Sequence, residues 1–173
     1  MEHARGTIIR LTKLTETSLI VHWLTENDGL IKTVARGARR AKSSFAGRID
    51  LFIEAELEWT RSSRSELHAL REVNVVDYRQ GLRKSYRDAV VAAYFGQLLE
   101  QVLELDHPVP EMFDLLQRGL SYLSDNGADR RSFYHFEKEV ARLLGLGLSS
   151  QAALLQAYGK LPSSRDHCLD LIQ

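Results

Sequence analysis

Leu51-Phe52-Ile53-Glu54-Ala55-Glu56-Leu57-Glu58-Trp59-Thr60 alternates apolar and polar residues along most of its length. Leu51, Ile53, Ala55, Leu57 and Trp59 fall on one side, and Phe52, Glu54, Glu56, Glu58 and Thr60 on the other. A period of two predicts a strand with one face buried and one in water. Upstream, Ile9 and Leu11 alternate with Arg10 and Thr12, which predicts a strand over Thr7–Leu14. Thr15-Glu16-Thr17-Ser18 reads as a turn, and Leu19–Leu24 as a strand that is apolar on both faces except at His22. Glu26-Asn27-Asp28-Gly29 carries the Asp-Gly chemistry of a tight hairpin and leads into a strand over Leu30–Arg36. Downstream, Arg61-Ser62-Ser63-Arg64-Ser65 is a basic turn before a last strand over Glu66–Val73.

Five strands in so short a span, joined by hairpins, predict a small antiparallel barrel, which leaves no open sheet edge. Periodicity does not separate an OB-type from an SH3-type barrel. The basic turn after the fourth strand favours OB, whose fourth-to-fifth loop often meets nucleic acid. After Val76-Asp77 the period becomes helical. Val91, Tyr94, Phe95, Leu98, Val102 and Leu105 share a face over Tyr86–Leu105. His107-Pro108 stops that helix and Pro110 opens the next, which Asp125-Asn126-Gly127 ends. A third helix starts near Arg131 and stops at Gly145 and Gly147. Ser149 or Ser150 caps a short fourth one through Tyr158, and the tail from Ser163 has no clear period. The expected architecture is α+β: a five-stranded OB-fold barrel over residues 1–76, followed by an all-helical domain over residues 77–173 packed against it.

Gly29 to Arg48 holds Lys32, Arg36, Arg39, Arg40, Lys42 and Arg48 with no acidic residue, in a chain whose formal net charge is zero. Met1 to Arg48 has nine Lys or Arg against four Asp or Glu, whereas Ile49 to Val73 adds Asp50, Glu54, Glu56, Glu58, Glu66 and Glu72. The cations are therefore gathered locally. A strand that runs into a glycine-bounded basic loop suits a phosphate backbone; it also suits a merely solvated hairpin. Phe45 either stacks on a base or packs the loop onto the barrel.

The helical stripes are most simply core. If part of one opens into a groove for a partner's hydrophobic tail, Tyr94, Phe95, Phe133 and Phe136 are the residues placed for it. Arg79, Arg83 and Arg87, with Lys84 beside them, are spaced to share one helix face, with Asp77 and Asp88 at hand for pairing. No nucleotide-binding glycine loop or His-Glu-x-x-His is present, and Cys168 is the single cysteine, so no enzyme, cofactor or metal is expected. Glu54, Glu56 and Glu58 read as a solvated strand face, and Lys42-Ser43-Ser44 carries little signal as a nucleophile. Without a signal sequence or an apolar run of bilayer length, the expected location is the cytoplasm.

Thr15-Glu16-Thr17-Ser18-Leu19-Ile20-Val21, Leu24-Thr25-Glu26-Asn27-Asp28-Gly29-Leu30 and Val34-Ala35-Arg36-Gly37-Ala38-Arg39-Arg40-Ala41-Lys42-Ser43-Ser44-Phe45 resemble, in this order, the N-terminal region of the bacterial RecO family. A looser likeness to its helical region runs through Phe136-Glu137 and Arg142-Leu143-Leu144-Gly145-Leu146-Gly147-Leu148. The resemblance implies an OB-fold followed by helices. It also implies binding to single-stranded and double-stranded DNA, annealing of complementary strands, and work with RecR and single-strand-binding protein in loading RecA recombinase at the nucleoid. By the same resemblance Lys32, Arg36, Arg39, Arg40 and Lys42 contact phosphates. Arg48, Arg61 and Arg64 join them as candidates from the charge pattern, and Phe45 as an aromatic that could stack on a base. Some members carry a four-cysteine zinc element where this chain has only Cys168, so no zinc is expected. The chain also ends earlier than most members, so helices that support partners are expected to be missing. Two other readings fit these residues: an adaptor acting only through protein partners, and an OB protein that binds RNA.

Overall fold

The computed structural model describes residues 1–147 and 150–173; the expected cap at Ser149, and Leu148, lie outside the described residues. Five strands close into a barrel: β1 (Glu2–Lys13), β2 (Leu19–Thr25), β3 (Gly29–Ala35), β4 (Glu54–Thr60) and β5 (Leu67–Asp77), in the order β1-β2-β3-β5-β4. That is OB-type topology, and with the helices that follow the fold is α+β as expected. All pairings are antiparallel except β3 with β5, which is parallel and closes the barrel. Simple hairpins cannot produce that pair; the long connection after β3 makes it.

Alternation sets the barrel core. Ile8, Val21, Trp23, Ile31, Ala35, Ala55, Leu57, Trp59, Leu70 and Val73 point inward with Phe45 and Ile53 from the connection. Inside, the Trp23 indole Nε1 donates to Thr33 Oγ1 at 2.9 Å, which satisfies both buried groups. The strand expected over Leu51–Thr60 begins only at Glu54, because Phe52 takes a φ of 69° and breaks the extended run. Its N–H instead donates to the Ile8 carbonyl at 2.8 Å. The β1–β2 register slips between Ile8 and Arg10, so this bulge lets both Ile8 and Ile9 be buried while Arg10 turns outward. The acidic side of β4 is not wholly solvated: Glu54 is 6% exposed and accepts from Arg5 Nε at 2.5 Å.

The chain forms two compact units: Met1–Tyr78 with Leu103–Phe113, and Arg79–Val102 with Asp114–Gln173. The first helix, α1 (Tyr86–Val102), ends before the expected Leu105. Leu105 instead bridges Leu30 in the barrel unit, and Asp106 N–H donates to the Leu30 carbonyl at 2.8 Å. Gly29 has to be glycine here, since its φ is 73° and a Cβ would lie 2.0 Å from the His107 carbonyl oxygen.

The helical unit contains α1, most of α2 (Pro110–Asn126), α3 (Arg130–Leu143), α4 (Ser150–Tyr158) and α5 (Arg165–Leu171), the last in the tail that showed no clear period. Asp129 caps α3 by accepting from Ser132 N–H at 2.7 Å, while Ser132 Oγ accepts from Asp129 N–H. Two aromatic stacks form the centre: Tyr94 on Phe133 at 4.9 Å, and Phe95 on Phe136 at 3.8 Å. Arg79, Arg83 and Arg87 do not share a helix face. Arg79 precedes a 3-10 turn (Gln80–Arg83) at a φ of 50°, is buried, and donates to Gln117. Arg87 lies in α1 and pairs with Asp88 at 3.3 Å.

Candidate nucleic-acid interface

The connection from β3 to β4 carries most of the expected cations, and its backbone is a chain of tight turns. N–H groups of Ala38, Arg40, Ser43, Ala46 and Arg48 donate to the carbonyls of Ala35, Gly37, Arg40, Ser43 and Phe45 at 3.0–3.4 Å. Two ties fix this loop to the β1–β2 turn: Arg39 N–H to the Thr17 carbonyl at 3.0 Å, and Gly37 N–H to Ser18 Oγ at 3.3 Å. Phe45 anchors it from inside. At 7% exposure it belongs to the barrel core, so of its two expected roles it has the packing one and is unavailable for stacking on a base.

Arg36, Arg39, Arg40, Lys42 and Arg48 are exposed on this fixed loop. Arg39 Nη1 donates to the Glu16 carbonyl at 3.1 Å, and Arg48 Nη1 to the Val73 carbonyl at 3.2 Å. Those bonds orient the guanidinium groups and leave their charge uncompensated. Among the described residues, no carboxylate is at ion-pair distance from these five or from Arg64. Lys32 lies on the outer face of β3 in a loose pair with Glu66 at 3.4 Å, and such exposed pairs contribute little, about 0–1 kcal/mol.

Arg61 departs from the expectation. Its Nη1 lies 2.8 Å from Asp106 Oδ1, with Glu2 and Asp28 each at 3.8 Å, and its guanidinium sits 4.7 Å over the Trp59 ring. Burial raises the Asp28 carboxyl, and Arg61 opposes that shift. Three carboxylates neutralise Arg61 internally, so it is not a free phosphate contact. It also sits beside Asp28 at the β2–β3 end, whereas the basic loop is tied to the β1–β2 turn. A seven-residue strand of roughly 20 Å separates those two ends. Arg64 shares the turn of Arg61, so the candidates form one large group and one small one.

The register adds residues that the sequence did not single out as a site. Arg10 of β1 faces His22 of β2, which faces Lys32 of β3, so the three form a row across the outer sheet. Thr12, Ile20, Val34 and Ala69 form the next row. Thr12 Oγ1 and His22 Nε2 are 3.3 Å apart. Arg71 is exposed on β5, two residues past Ala69 as Arg36 is two past Val34. The one signal in the sequence was His22, the polar exception in an apolar strand. The other wall of the barrel has the opposite sign: His3 faces Glu58 on β4, which faces Glu72 on β5.

In the helical unit, Tyr94 and Phe133 are fully buried and closed to a partner. Phe95 and Phe136 are buried too, yet they line a groove of about 390 Å³ with Leu115, Gly119 and Tyr122. Arg118, Arg131 and His135 stand at the same groove. Gly119 keeps its floor open, since a Cβ there would come within 3.3 Å of Phe136 and 3.4 Å of Phe95.

Among the described residues no group of three or more His, Cys, Asp or Glu is placed to hold a metal ion. Cys168 is buried, and burial pushes its thiol up to about 11. No helix among them is long and apolar enough to cross a membrane.

Comparison with known families divides the chain where the barrel gives way to helices. The model described as Recombination protein O N terminal matches residues 1–79, and Recombination protein O C terminal matches residues 83–153. The chain belongs to the RecO family. Among its relatives, the DNA repair protein RecO of Xanthomonas campestris pv. campestris is 31% identical over 152 residues, 87% of this chain and 61% of that protein. The RecO of Pasteurella multocida is 32% identical over 146 residues, 83% of this chain and 59% of its own length. That of Rhodopirellula baltica is 28% identical over 144 residues, 83% of this chain and 53% of the relative. The chain thus spans between 53% and 61% of these three RecO proteins.

Proposed function

We propose that this chain acts in DNA repair and recombination as a non-catalytic mediator. Its barrel holds single-stranded and double-stranded DNA by the phosphate backbone. The observation that carries this reading is the fixed loop with five exposed cations and no carboxylate beside them, next to the Arg10–His22–Lys32 row. Trp23, Phe45, Phe52 and Trp59 are all buried, so the outer sheet offers phosphate contacts without aromatic platforms. A strand held this way keeps its bases free to pair, and neutralised phosphates lower the repulsion between two complementary strands. Annealing follows from both. The names of the relatives, DNA repair protein RecO, support the cellular role.

Anisotropy of a labelled single strand, titrated with the full chain at several salt concentrations and without partners, tests this. With about four to six phosphates engaged, log affinity falls against log salt with a slope of about −3 to −4. A flat response, or undiminished binding by an Arg36→Ala, Arg39→Ala, Arg40→Ala variant, rejects the surface. Matched RNA as competitor distinguishes an RNA-binding protein.

The groove of the helical unit supports partner binding beside the DNA role. Its apolar floor and the cation Arg131 suit a peptide end that combines apolar and acidic residues, while Arg118 at the same groove is paired with Asp114 at 2.8 Å. In this reading single-strand-binding protein or RecR docks there, and the loading of RecA recombinase at the nucleoid, in the cytoplasm, depends on it. Gly119→Leu, which fills the floor, then abolishes partner binding and leaves the DNA titration unchanged.

A further inference from the structure

We infer that the exposed face of α3, in the helical unit, is a second nucleic-acid contact, which holds one strand while the barrel holds its complement. The inference rests on the DNA-binding reading and deepens it. Arg131, His135, Lys138 and Arg142 follow one another at spacings of four, three and four. At 3.6 residues per turn these basic side chains form a single stripe. All four are exposed, while Phe133, Phe136 and Val140 on the opposite side are buried. Arg130 is exposed in the same first turn as Arg131. Arg131 and Lys138 are two turns apart, about 10 Å along the axis.

Most of this charge is not used up inside the protein. Arg142 is spent on Glu139, at 2.8 Å. Among the described residues, no carboxylate is at ion-pair distance from Arg130, Arg131 or Lys138. Asp129 caps the helix through Ser132 N–H and lies in the field of Arg131 without pairing with it. Tyr134 stands beside the stripe, one turn before Lys138, and is 40% exposed. Its ring meets the buried Phe133 ring edge-on at 5.7 Å, which steadies it from below. An open aromatic ring beside free cations suits a single strand, with phosphates on the cations and a base on the ring. The barrel has no such platform, since Trp23, Phe45, Phe52 and Trp59 are buried. Tyr134 and Lys138 also lie outside the lining of the apolar groove, so a peptide seated in that groove does not account for them. Two strands on one chain meet within one complex instead of by free encounter, which favours annealing beyond what charge neutralisation gives.

The test titrates the full chain with a short labelled oligothymidine at low salt and reads the stoichiometry. Two strands per chain are expected. Tyr134→Ala with Lys138→Gln removes the stack and one cation, so the second strand binds about tenfold or more weakly and the stoichiometry falls to one. The denaturant midpoint of this variant stays unchanged, and its annealing of complementary oligonucleotides slows. Tyr134→Phe alone keeps both strands. The Arg36→Ala, Arg39→Ala, Arg40→Ala variant retains the α3 strand, and combining it with the α3 variant removes binding. The proposal is overturned if the unmodified chain takes one strand, or if the Tyr134→Ala, Lys138→Gln chain still takes two. If that variant loses an acidic, apolar peptide instead of a strand, the face belongs to a protein partner and the proposal is likewise overturned. In each of these cases the strand on the barrel remains and the DNA-binding reading stands. Absence of any strand binding at low salt removes that reading and this one together.

Discussion

Arg165 and Glu137 meet through two parallel hydrogen bonds inside the helical unit, Nε to Oε1 at 2.6 Å and Nη2 to Oε2 at 2.9 Å. Glu137 is 0% exposed and Arg165 8%. The Tyr94 hydroxyl donates to the same carboxylate at 2.6 Å. This network joins α1, α3 and α5, so the short C-terminal helix is held by a buried charge pair as well as by apolar contact. Glu137→Gln leaves the Arg165 charge buried without its counter-ion. The expected loss is about 3–5 kcal/mol, read as a lower denaturant midpoint. Adding Arg165→Met to that variant recovers much of it, and a double variant as unstable as the single one contradicts the assignment.

Alkaline pH exposes the same site through Tyr94. Burial, and then the Glu137 charge, raise the Tyr94 phenol far above its ordinary value of 10.0. The folded state therefore holds this proton more firmly than the unfolded state does. The stabilisation is complete below pH 10 and is lost as pH rises beyond it. Phenolate absorbance from Tyr94 is expected late, only together with unfolding. Tyr94→Phe removes the late component.

Phe45 couples the basic loop to the barrel core. Phe45→Ala is expected to cost about 3–5 kcal/mol and also to weaken DNA binding, although it removes no charge. Binding weakens because the cations then sit on a mobile segment that must be ordered on docking. Phe45→Leu fills most of the space and restores both. DNA affinity unchanged in a folded Phe45→Ala protein would mean that loop rigidity contributes nothing to the interface.

Arg61 and Arg40 are both exposed arginines on barrel loops, yet their expected behaviour is opposite. Arg40→Ala reduces the salt slope of DNA binding by about 0.7, one single-strand phosphate contact. Arg61→Ala leaves that slope unchanged, because Asp106, Glu2 and Asp28 already surround the guanidinium. Its cost appears instead as lost stability, from the ion pairs and the Trp59 stack.

Alternation made the barrel legible, since Ala55, Leu57 and Trp59 go inward as their period requires. Asp28-Gly29 likewise gave the hairpin, with Gly29 at positive φ. The parallel β3–β5 closure was not legible, because it depends on the path of a connection without periodicity. The return of Asp106 to the barrel was hidden for a similar reason: the apolar pattern of α1 runs on to Leu105 although the helix ends at Val102. In the site, a charge run identified the loop cations. Whether a cation is spent internally depends on carboxylates distant in sequence. Arg61 and Asp106 are 45 residues apart, and no local pattern links them. Arg10, His22 and Lys32 come together only through strand register, so composition could not pick them out as a set.

The facing pair Glu58 and Glu72 puts negative charge on the wall away from the basic loop. On the proposed DNA-binding reading, a strand therefore lies along one flank of the barrel and does not encircle it. Its outer side then stays open, so a bound strand is expected to remain susceptible to nucleases and accessible to an incoming complement. Cleavage patterns by a small chemical nuclease should accordingly show thinning on one side, without a fully protected window.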